Sequence, residues 1–354
     1  MVKIFITGAT GYIGGDALHA LLSLHPDFSY TALVRSGPRA VSLAATHPTL
    51  RLVYGDLSST SLITSEARAA DIVLHLADAD DVSSARAIAE GLRSKPGGQV
   101  GFWIHLSGTG ILTWKDVDRD TYGEESGEVY DDWEGVGAVT SLPDQALHRG
   151  VDKIVLAAGD DDAGRAGKVR TAVVCPPCIY GRGRGAGNTR SMQVPELARV
   201  TVERGEGVRV GKGRARWTGV HVGDLADLFV RLVEEAVVGG GKATWGREGY
   251  YFAEDGEFYW GDVSEWVLEE VRKLGLAKSE VVRELNKEEA IQATGGGHIL
   301  WGANSRCKAI RARKLLGWQP KRHGLREEVK DAVEVEAKKL GKLPGHAAKA
   351  AGDA

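Results

Sequence analysis

The sequence predicts an α/β protein with a Rossmann-type, doubly wound parallel sheet and a smaller, interleaved C-terminal domain. Two observations predict this fold. Short runs rich in Val, Ile and Leu alternate with helix-like segments, and a glycine-rich turn joins the first run to the first helix. Because the runs are apolar at consecutive positions, we expect strands that are buried on both faces, as in a parallel sheet covered by helices.

The predicted strands follow one another through the first half of the chain. They span residues 3–6, 30–35, 50–56, 70–78, 99–108 and 169–177. Between the last two, residues 109–139 form an acidic, aromatic and glycine-rich stretch that is longer than an ordinary connection. Long loops of this kind are typical of functional regions.

Composition limits the class of partner. The chain has 354 residues, 43 % of them hydrophobic, which is sufficient for a large folded core. A net charge of −3 gives no general attraction for nucleic acid, and no apolar run approaches the roughly 18 residues of a membrane span. Three cysteines and the lack of a signal peptide favour a cytoplasmic protein. We therefore expect a small-molecule partner.

The glycine turn specifies a dinucleotide. Gly8, Gly11 and Gly14 have the spacing that allows a tight turn, close approach of the backbone to a pyrophosphate and close packing of helix on sheet. The helix that opens there directs its free N–H groups at the phosphates. Thr10, Tyr12 and Ile13 lie in the same turn and complete this part of the predicted cofactor site.

The ends of the next strands predict the rest of the cofactor site. Arg35 and Ser36 follow the second strand, where an acid usually binds the ribose of NAD, so NADP is favoured and NAD remains possible. Arg39 is placed to assist. The remaining residues follow the third and fourth strands and are predicted to contact adenine or the phosphates: Asp56, Leu57, Leu76, Ala77 and Asp78. The dinucleotide domain is predicted to span 1–180 with 216–238, the substrate domain 181–215 with 239–338, and a flexible tail 339–354.

Several segments resemble the extended and atypical short-chain dehydrogenase/reductase superfamily, in particular its NAD-dependent epimerase/dehydratase-like and NmrA-like members. These segments are TGATGYIG, GDL, HLAD, HLSGTG, PPCIYGRG, VHVGDLADLF and KAIRARKLLGWQP. The resemblance covers most of the chain. It implies a catalytic Ser or Thr, a tyrosine acid/base, and a lysine four residues after the tyrosine that binds the ribose and lowers the tyrosine pKa.

The resemblance implies catalytic roles for Ser107 or Thr109, and for Lys153, but the tyrosine position is occupied by Arg149. Three alternatives follow. A tyrosine from the long loop, Tyr122 or Tyr130, could supply the proton, and this is the alternative we favour; His148 could replace it; or the protein could bind cofactor without turnover.

Other positions in these segments bear on ligand and substrate. The backbone of Pro177 and Ile179 is expected to hold the nicotinamide carboxamide. The Cys-x-x-Cys spacing in the same segment does not indicate a redox or metal site, so no metal is predicted. Sugar-nucleotide epimerases carry an arginine at the position of Trp217, and Arg216 is one residue out of register.

The combined prediction is an NADP(H)-dependent oxidoreductase acting on a small carbonyl or alcohol, with a possible homodimer. A catalytically silent regulator of the NmrA-like kind and a sugar-nucleotide epimerase or dehydratase are the alternatives.

Overall fold

The computed structural model describes residues 1–35, 37–160 and 168–344. The strands are β1 Lys3–Thr7, β2 Ser29–Val34, β3 Arg51–Tyr54, β4 Ile72–His75, β5 Gly101–Leu106, β6 Tyr130–Asp131, β7 Val169–Cys175, β8 Cys178–Tyr180, β9 Gly207–Val210, β10 Arg216–His221, β11 Tyr250–Phe252, β12 Glu257–Tyr259, β13 Val282–Leu285 and β14 Cys307–Lys308. The helices are α1 Tyr12–Leu24, α2 Pro38–Thr46, α3 Thr60–Ala69, α4 Val82–Arg93, α5 Trp114–Asp118, α6 Val136–Thr140, α7 Arg149–Ala158, α8 Gln193–Arg204, α9 Val222–Val237, α10 Trp260–Lys273, α11 Lys287–Thr294, α12 Gly297–Leu300, α13 Arg311–Leu316 and α14 Leu325–Lys339.

A sheet with strand order β11-β7-β5-β4-β1-β2-β3 organises the larger part of the molecule, and every neighbouring pair in it is parallel. All six predicted strands take part in it. The order reverses between β1 and β4, and ligands of such sheets bind at that switch point, beyond the carboxyl ends of the strands. The predicted Rossmann-type, doubly wound fold is confirmed.

The burial of the central strands explains why this sheet forms. Every residue of β4 and β5 is buried, as expected of strands with helices on both faces. Helix α1 packs against α9, while α3, α4 and α7 pack together as a second group of helices.

A smaller unit has its own core. It contains the sheet β12-β10-β8 and the pair β13-β9, with α8, α10 and α14 packed together. Trp260 and Trp301 are among its fully buried side chains.

Two parts of the chain cross the predicted domain limits. Strand β11, which lies within the predicted substrate segment 239–338, forms the edge of the large sheet beside β7. Trp318 is buried in the larger core and donates its indole N–H to the carbonyl of Asp224 at 2.8 Å. These two parts of the segment that we assigned to the substrate domain therefore belong to the larger sheet and its core. Of the predicted tail, residues 345–354 lie outside the described residues.

Candidate active site

The glycine turn after β1 forms a cradle that only glycine allows. Gly8 has φ +79°, and a β-carbon there would lie 2.3 Å from the carbonyl oxygen of Leu76. A β-carbon on Gly14 would lie 2.3 Å from the carbonyl oxygen of Gly8. Helix α1 begins directly afterwards with no side chain capping its N-terminus, so free N–H groups face the turn. This arrangement fits a dinucleotide pyrophosphate.

An elongated cleft of about 630 Å³ opens at this turn, at the carboxyl ends of β1 to β4. It brings together most of the residues predicted to bind the cofactor. These lining residues are Gly8, Thr10, Gly11, Tyr12, Ile13, Arg35, Asp56, Leu57, Leu76, Ala77 and Asp78. Gly14 packs against the turn itself, and Ser36 lies outside the described residues. The cleft therefore brings residues from the ends of four strands together on one surface that is large enough for a cofactor.

The end of the cleft next to β2 carries positive charge. Arg35 and Arg39 both line it, whereas the lining acids, Asp56 and Asp78, follow β3 and β4 instead. Asp56 accepts hydrogen bonds from the backbone N–H and hydroxyl of Ser58, at 2.9 and 2.6 Å, and these bonds lower its pKa. Two guanidinium groups line this end of the cleft, and no acidic side chain follows β2. This environment is suitable for an additional phosphate.

Ser107 and Thr109, which follow β5, differ in their availability. The hydroxyl of Thr109 accepts a hydrogen bond from Ser305 at 2.7 Å. The hydroxyl of Ser107 is buried beside the Asp152 carboxylate, whose pKa it lowers. Of the two predicted residues, Thr109 is therefore the one that a distant residue, Ser305, already engages.

Lys153 does not reach the site. Its ammonium group forms an exposed ion pair with Asp144, 2.8 Å away, and Lys153 does not line the cleft. The inward face of α7 instead carries Val151, Asp152 and Val155. The ribose-binding role that the resemblance implies therefore stays a prediction, which the position of Lys153 on the exposed side of α7 does not support.

The loop tyrosines also lie apart from the cleft lining. Tyr122 packs edge-on against His298, with ring centroids 5.0 Å apart, next to the smaller core. The hydroxyl of Tyr130 accepts a weak hydrogen bond from the indole of Trp114 at 3.4 Å. Burial raises the pKa of both phenols, which makes each a weaker acid than usual.

Pro177 lies at the turn between β7 and β8, and Ile179 is the middle residue of β8. The carbonyl of the neighbouring Pro176 accepts the N–H of Thr109 at 2.9 Å. Ile179 is half-buried against the larger core, and Pro177 is buried. The nearby Tyr12 hydroxyl donates to the carbonyl of Gly181 at 2.6 Å and so ties this turn to the glycine cradle.

A histidine–carboxylate pair occupies the space beside Ser107. The imidazole Nδ1 of His148 lies 3.0 and 3.1 Å from the two carboxylate oxygens of Asp80. Its Nε2 faces the loop after β5, since a β-carbon on Gly108 or Gly110 would lie 3.2 Å from that nitrogen. Sequence reasoning named His148 only as an alternative and missed Asp80 entirely, because 68 residues separate the two.

Asp152 lies beneath this pair, one helical turn after His148. It is fully buried beside Ser107, accepts a hydrogen bond from the Tyr250 hydroxyl at 3.2 Å, and lies 3.7 Å from Nε2 of His105. Burial raises its pKa to about 6, although Ser107, His148 and Tyr250 act in the opposite direction. The signal that could have identified it is the spacing His148-x-x-x-Asp152, which repeats the four-residue spacing of the family's tyrosine and lysine.

One further cluster, in the described part of the chain, has metal-ligand chemistry. His221, His323 and Glu328 bring one ligand atom each to within 4.8 Å of one another. Two of the three groups are already engaged, since Nε2 of His323 lies 3.0 Å from the Glu328 carboxylate. Burial, with the neighbouring His323 and Arg322 charges, lowers the pKa of His221 to about 4. We propose no metal there, because the adjacent guanidinium disfavours a cation.

The doubly wound sheet, the glycine cradle and the cleft at the strand ends together define a nucleotide-cofactor-binding Rossmann protein. The profile of the NAD dependent epimerase/dehydratase family matches residues 4–93 and 150–245. The chain belongs to this family and is an NAD(P)-dependent oxidoreductase-type enzyme.

Relatives and solved structures agree with this assignment. The chain is 39 % identical over 348 residues to oxidase ucsJ of Acremonium sp, covering 96 % of this chain and 99 % of that protein. An uncharacterised Saccharomyces cerevisiae protein is 25 % identical over 337 residues, covering 93 % and 98 %. The dTDP-glucose 4,6-dehydratase of Bacillus anthracis, solved with NAD, has the same fold, with a TM-score of 0.65, 15 % identity, and 97 % and 98 % coverage. No helix in the described residues is long and apolar enough to cross a membrane.

Proposed function

We propose that this protein is an NADP(H)-dependent oxidoreductase that acts on a small carbonyl or alcohol. The observation that carries the cofactor preference is the pair Arg35 and Arg39 at the β2 end of the cleft, where no carboxylate lines the surface. When bound, the nicotinamide supplies or accepts the hydride equivalent. The chain supplies the cradle, and Ser107 supplies a hydroxyl that orients the substrate oxygen.

The proposed substrate class follows from what β10 lacks. At the position where sugar-nucleotide epimerases carry a pyrophosphate-binding arginine, Trp217 is buried and donates its indole N–H to the carbonyl of Ala303 at 2.7 Å. The adjacent Arg216 is engaged by Glu125 and Glu257. Neither side chain is available for a diphosphate, so a small substrate without a nucleotide is favoured over a sugar nucleotide.

Calorimetric titration with NADPH, NADP⁺, NADH and NAD⁺ tests the cofactor. We expect NADPH to bind at least tenfold more tightly than NADH. Arg35→Ala should remove most of that preference and leave NADH binding unchanged, because a lost charge-assisted contact to phosphate is worth about 1.5–3 kcal/mol. Arg204→Ala, which lies on α8 outside the cleft, is the matched control. Equal binding of NADH and NADPH would contradict the preference, and no binding of either would contradict the dinucleotide site.

Turnover is tested with NADPH and a panel of benzaldehyde, cyclohexanone and ethyl pyruvate, followed at the nicotinamide absorbance. UDP-glucose and dTDP-glucose with NAD⁺ test the sugar-nucleotide alternative. Oxidation of NADPH by a member of the panel supports the proposal. Conversion of either sugar nucleotide, with none of the panel, would contradict the substrate class, and tight cofactor binding without any turnover would favour the silent regulator.

A further inference from the structure

We propose, building on the function above, that His148 oriented by Asp80 is the proton donor and acceptor of this enzyme. The position at which the resemblance implies a tyrosine is Arg149, and the preceding residue, His148, brings its imidazole to the loop that follows Ser107. Asp80 is the positioning residue for that ring.

The hydrogen bonds of His148 assign a role to each ring nitrogen. The Asp80 carboxylate can only accept, so it fixes the proton on Nδ1 and leaves Nε2 to gain or lose a proton. A carboxylate that holds an imidazole in one tautomer and orientation is the arrangement used by His–Asp acid/base pairs. Nε2 is the nitrogen that faces Gly108 and Gly110, in the loop that directly follows Ser107.

The pair adjoins the cofactor cleft through a single short loop. Ala77 and Asp78, at the start of the loop after β4, line the cleft, and Asp80 two residues later holds His148. The carboxylate of Asp78 accepts the N–H of Asp80 at 3.0 Å, which fixes the shape of the loop. The chain thus couples the position of the acid/base group to the surface on which the cofactor binds.

The backbone of His148 is held in an unfavourable conformation. It has φ +64° at the position immediately before α7, a left-handed conformation in which non-glycine residues are uncommon. Such a conformation persists where the surroundings fix it, and it occurs most often at functional sites. With this left-handed backbone conformation, the imidazole of His148 reaches the carboxylate of Asp80.

Surrounding charges keep this histidine protonatable near neutral pH. Burial disfavours the imidazolium, but the hydrogen bond and charge of Asp80, with the charges of Asp152 and Asp78, outweigh burial and raise the pKa of His148. The other titratable group that faces it, His105, is held neutral by burial, which lowers its pKa well below the usual range. A general acid is most effective when its pKa lies near the working pH.

In the reduction direction, NADPH would supply the hydride that the substrate carbon gains. The carbon–oxygen π bond breaks, and the oxygen takes the proton from Nε2 of His148. Asp80 keeps Nδ1 protonated throughout, and the proton on Nε2 is replaced from solvent. In the oxidation direction the neutral Nε2 removes the proton from the alcohol hydroxyl, and NADP⁺ would accept the hydride from the alcohol carbon.

Proton NMR of protein labelled with ¹³C-histidine tests the pair without any substrate. The His148 resonance is assigned by its loss in His148→Gln, and we expect it to titrate above pH 6.5 in the wild type. In Asp80→Asn its pKa should fall by about one unit or more, whereas in Asp144→Asn, which removes an exposed carboxylate nearby, it should not change. A wild-type pKa below 6.5, or one that Asp80→Asn leaves in place, would overturn the proposal.

Turnover of the panel compound that is reduced fastest tests the chemistry. His148→Gln should lower kcat about 100-fold or more and leave NADPH binding within twofold, while the control His47→Gln keeps the wild-type rate. Asp80→Asn should lower kcat less and shift the pH profile to lower pH. A His148→Gln enzyme with near wild-type kcat, or a wild type that binds NADPH but reduces nothing in the panel, would overturn this inference. Failure of the wild type to bind NADPH would overturn the proposed function itself.

Discussion

The buried carboxylate of Asp152 should lower the stability of this protein at neutral pH, and replacing it by the neutral amide should raise that stability. The carboxylate is fully buried, one of its oxygens has no hydrogen-bond partner among the described residues, and its pKa is raised from 3.8 to about 6. That shift of about two units corresponds to about 3 kcal/mol, at about 1.4 kcal/mol per unit. It measures the cost of holding the ionised form in the folded state.

The size of this effect depends on pH. Because the pKa is higher in the folded state than in the unfolded state, the folded state binds the extra proton between about pH 4 and pH 6. The contribution of Asp152 to stability is therefore most favourable below about pH 4 and is lost as the pH rises through 6. Asp152→Asn should be close to wild type in stability at pH 4 and about 2–3 kcal/mol more stable at pH 7.5.

Thermal unfolding followed by circular dichroism between pH 4 and pH 8 measures this difference. We expect Asp152→Asn to unfold several degrees above the wild type at pH 7.5, and the two unfolding temperatures to converge towards pH 4. Asp144→Asn is the matched control on the exposed side of the same region, and it should not stabilise, because its ion pair with Lys153 lowers its pKa. Equal stability of Asp152→Asn and wild type at pH 7.5 would show that a positive partner already compensates the carboxylate.

Two further substitutions test the cradle and the packing of the C-terminal segment. Gly14→Ala, whose β-carbon would lie 2.3 Å from a backbone oxygen, should abolish NADPH binding in calorimetry, whereas Gly137→Ala, with nothing within 4 Å, should bind normally. Asp224→Ala should destabilise by about 3 kcal/mol in thermal unfolding, because the buried Asp224 carboxylate accepts hydrogen bonds from the backbone N–H groups of Lys321 and Arg322 and from the Arg322 guanidinium. Asp227→Ala, at the more exposed partner of the same arginine, should cost less. Normal binding by Gly14→Ala, or equal losses for the two aspartates, would contradict these arguments.

The cofactor cleft could be predicted from sequence because local rules determine it. A strand followed by Gly8, Gly11 and Gly14 predicts a tight turn and a helix N-terminus that faces a phosphate, and this prediction depends on local sequence alone. Residues that follow neighbouring parallel strands must also meet at one edge of the sheet. For this reason Arg35 and Asp56, which follow different strands, both line the cleft as predicted.

The reacting groups could not be predicted in this way, because their positions depend on contacts between distant residues. Thr109 is engaged by Ser305, which lies 196 residues away in the sequence. The orientation of α7 is set by a left-handed residue immediately before it, and this register turns Lys153 outward. A four-residue spacing predicts only that two side chains lie on the same face of a helix. Whether that face points inward depends on how the helix packs in the folded structure.

Neighbouring charges act on His148 in the opposite direction to the one that the resemblance implies for a tyrosine. In both cases they bring the pKa of the acid/base group towards neutrality. A tyrosine, with an ordinary pKa near 10, needs a cation to lower its pKa towards neutrality. A histidine starts near 6.5 and needs negative charge to raise it, which Asp80 and Asp152 provide. His148 and Asp152 lie one residue before Arg149 and Lys153, the positions that the resemblance gives to the tyrosine and the lysine. Asp152→Lys should impair proton transfer more than Asp152→Asn does, because a cation four residues after His148 would lower the histidine pKa further.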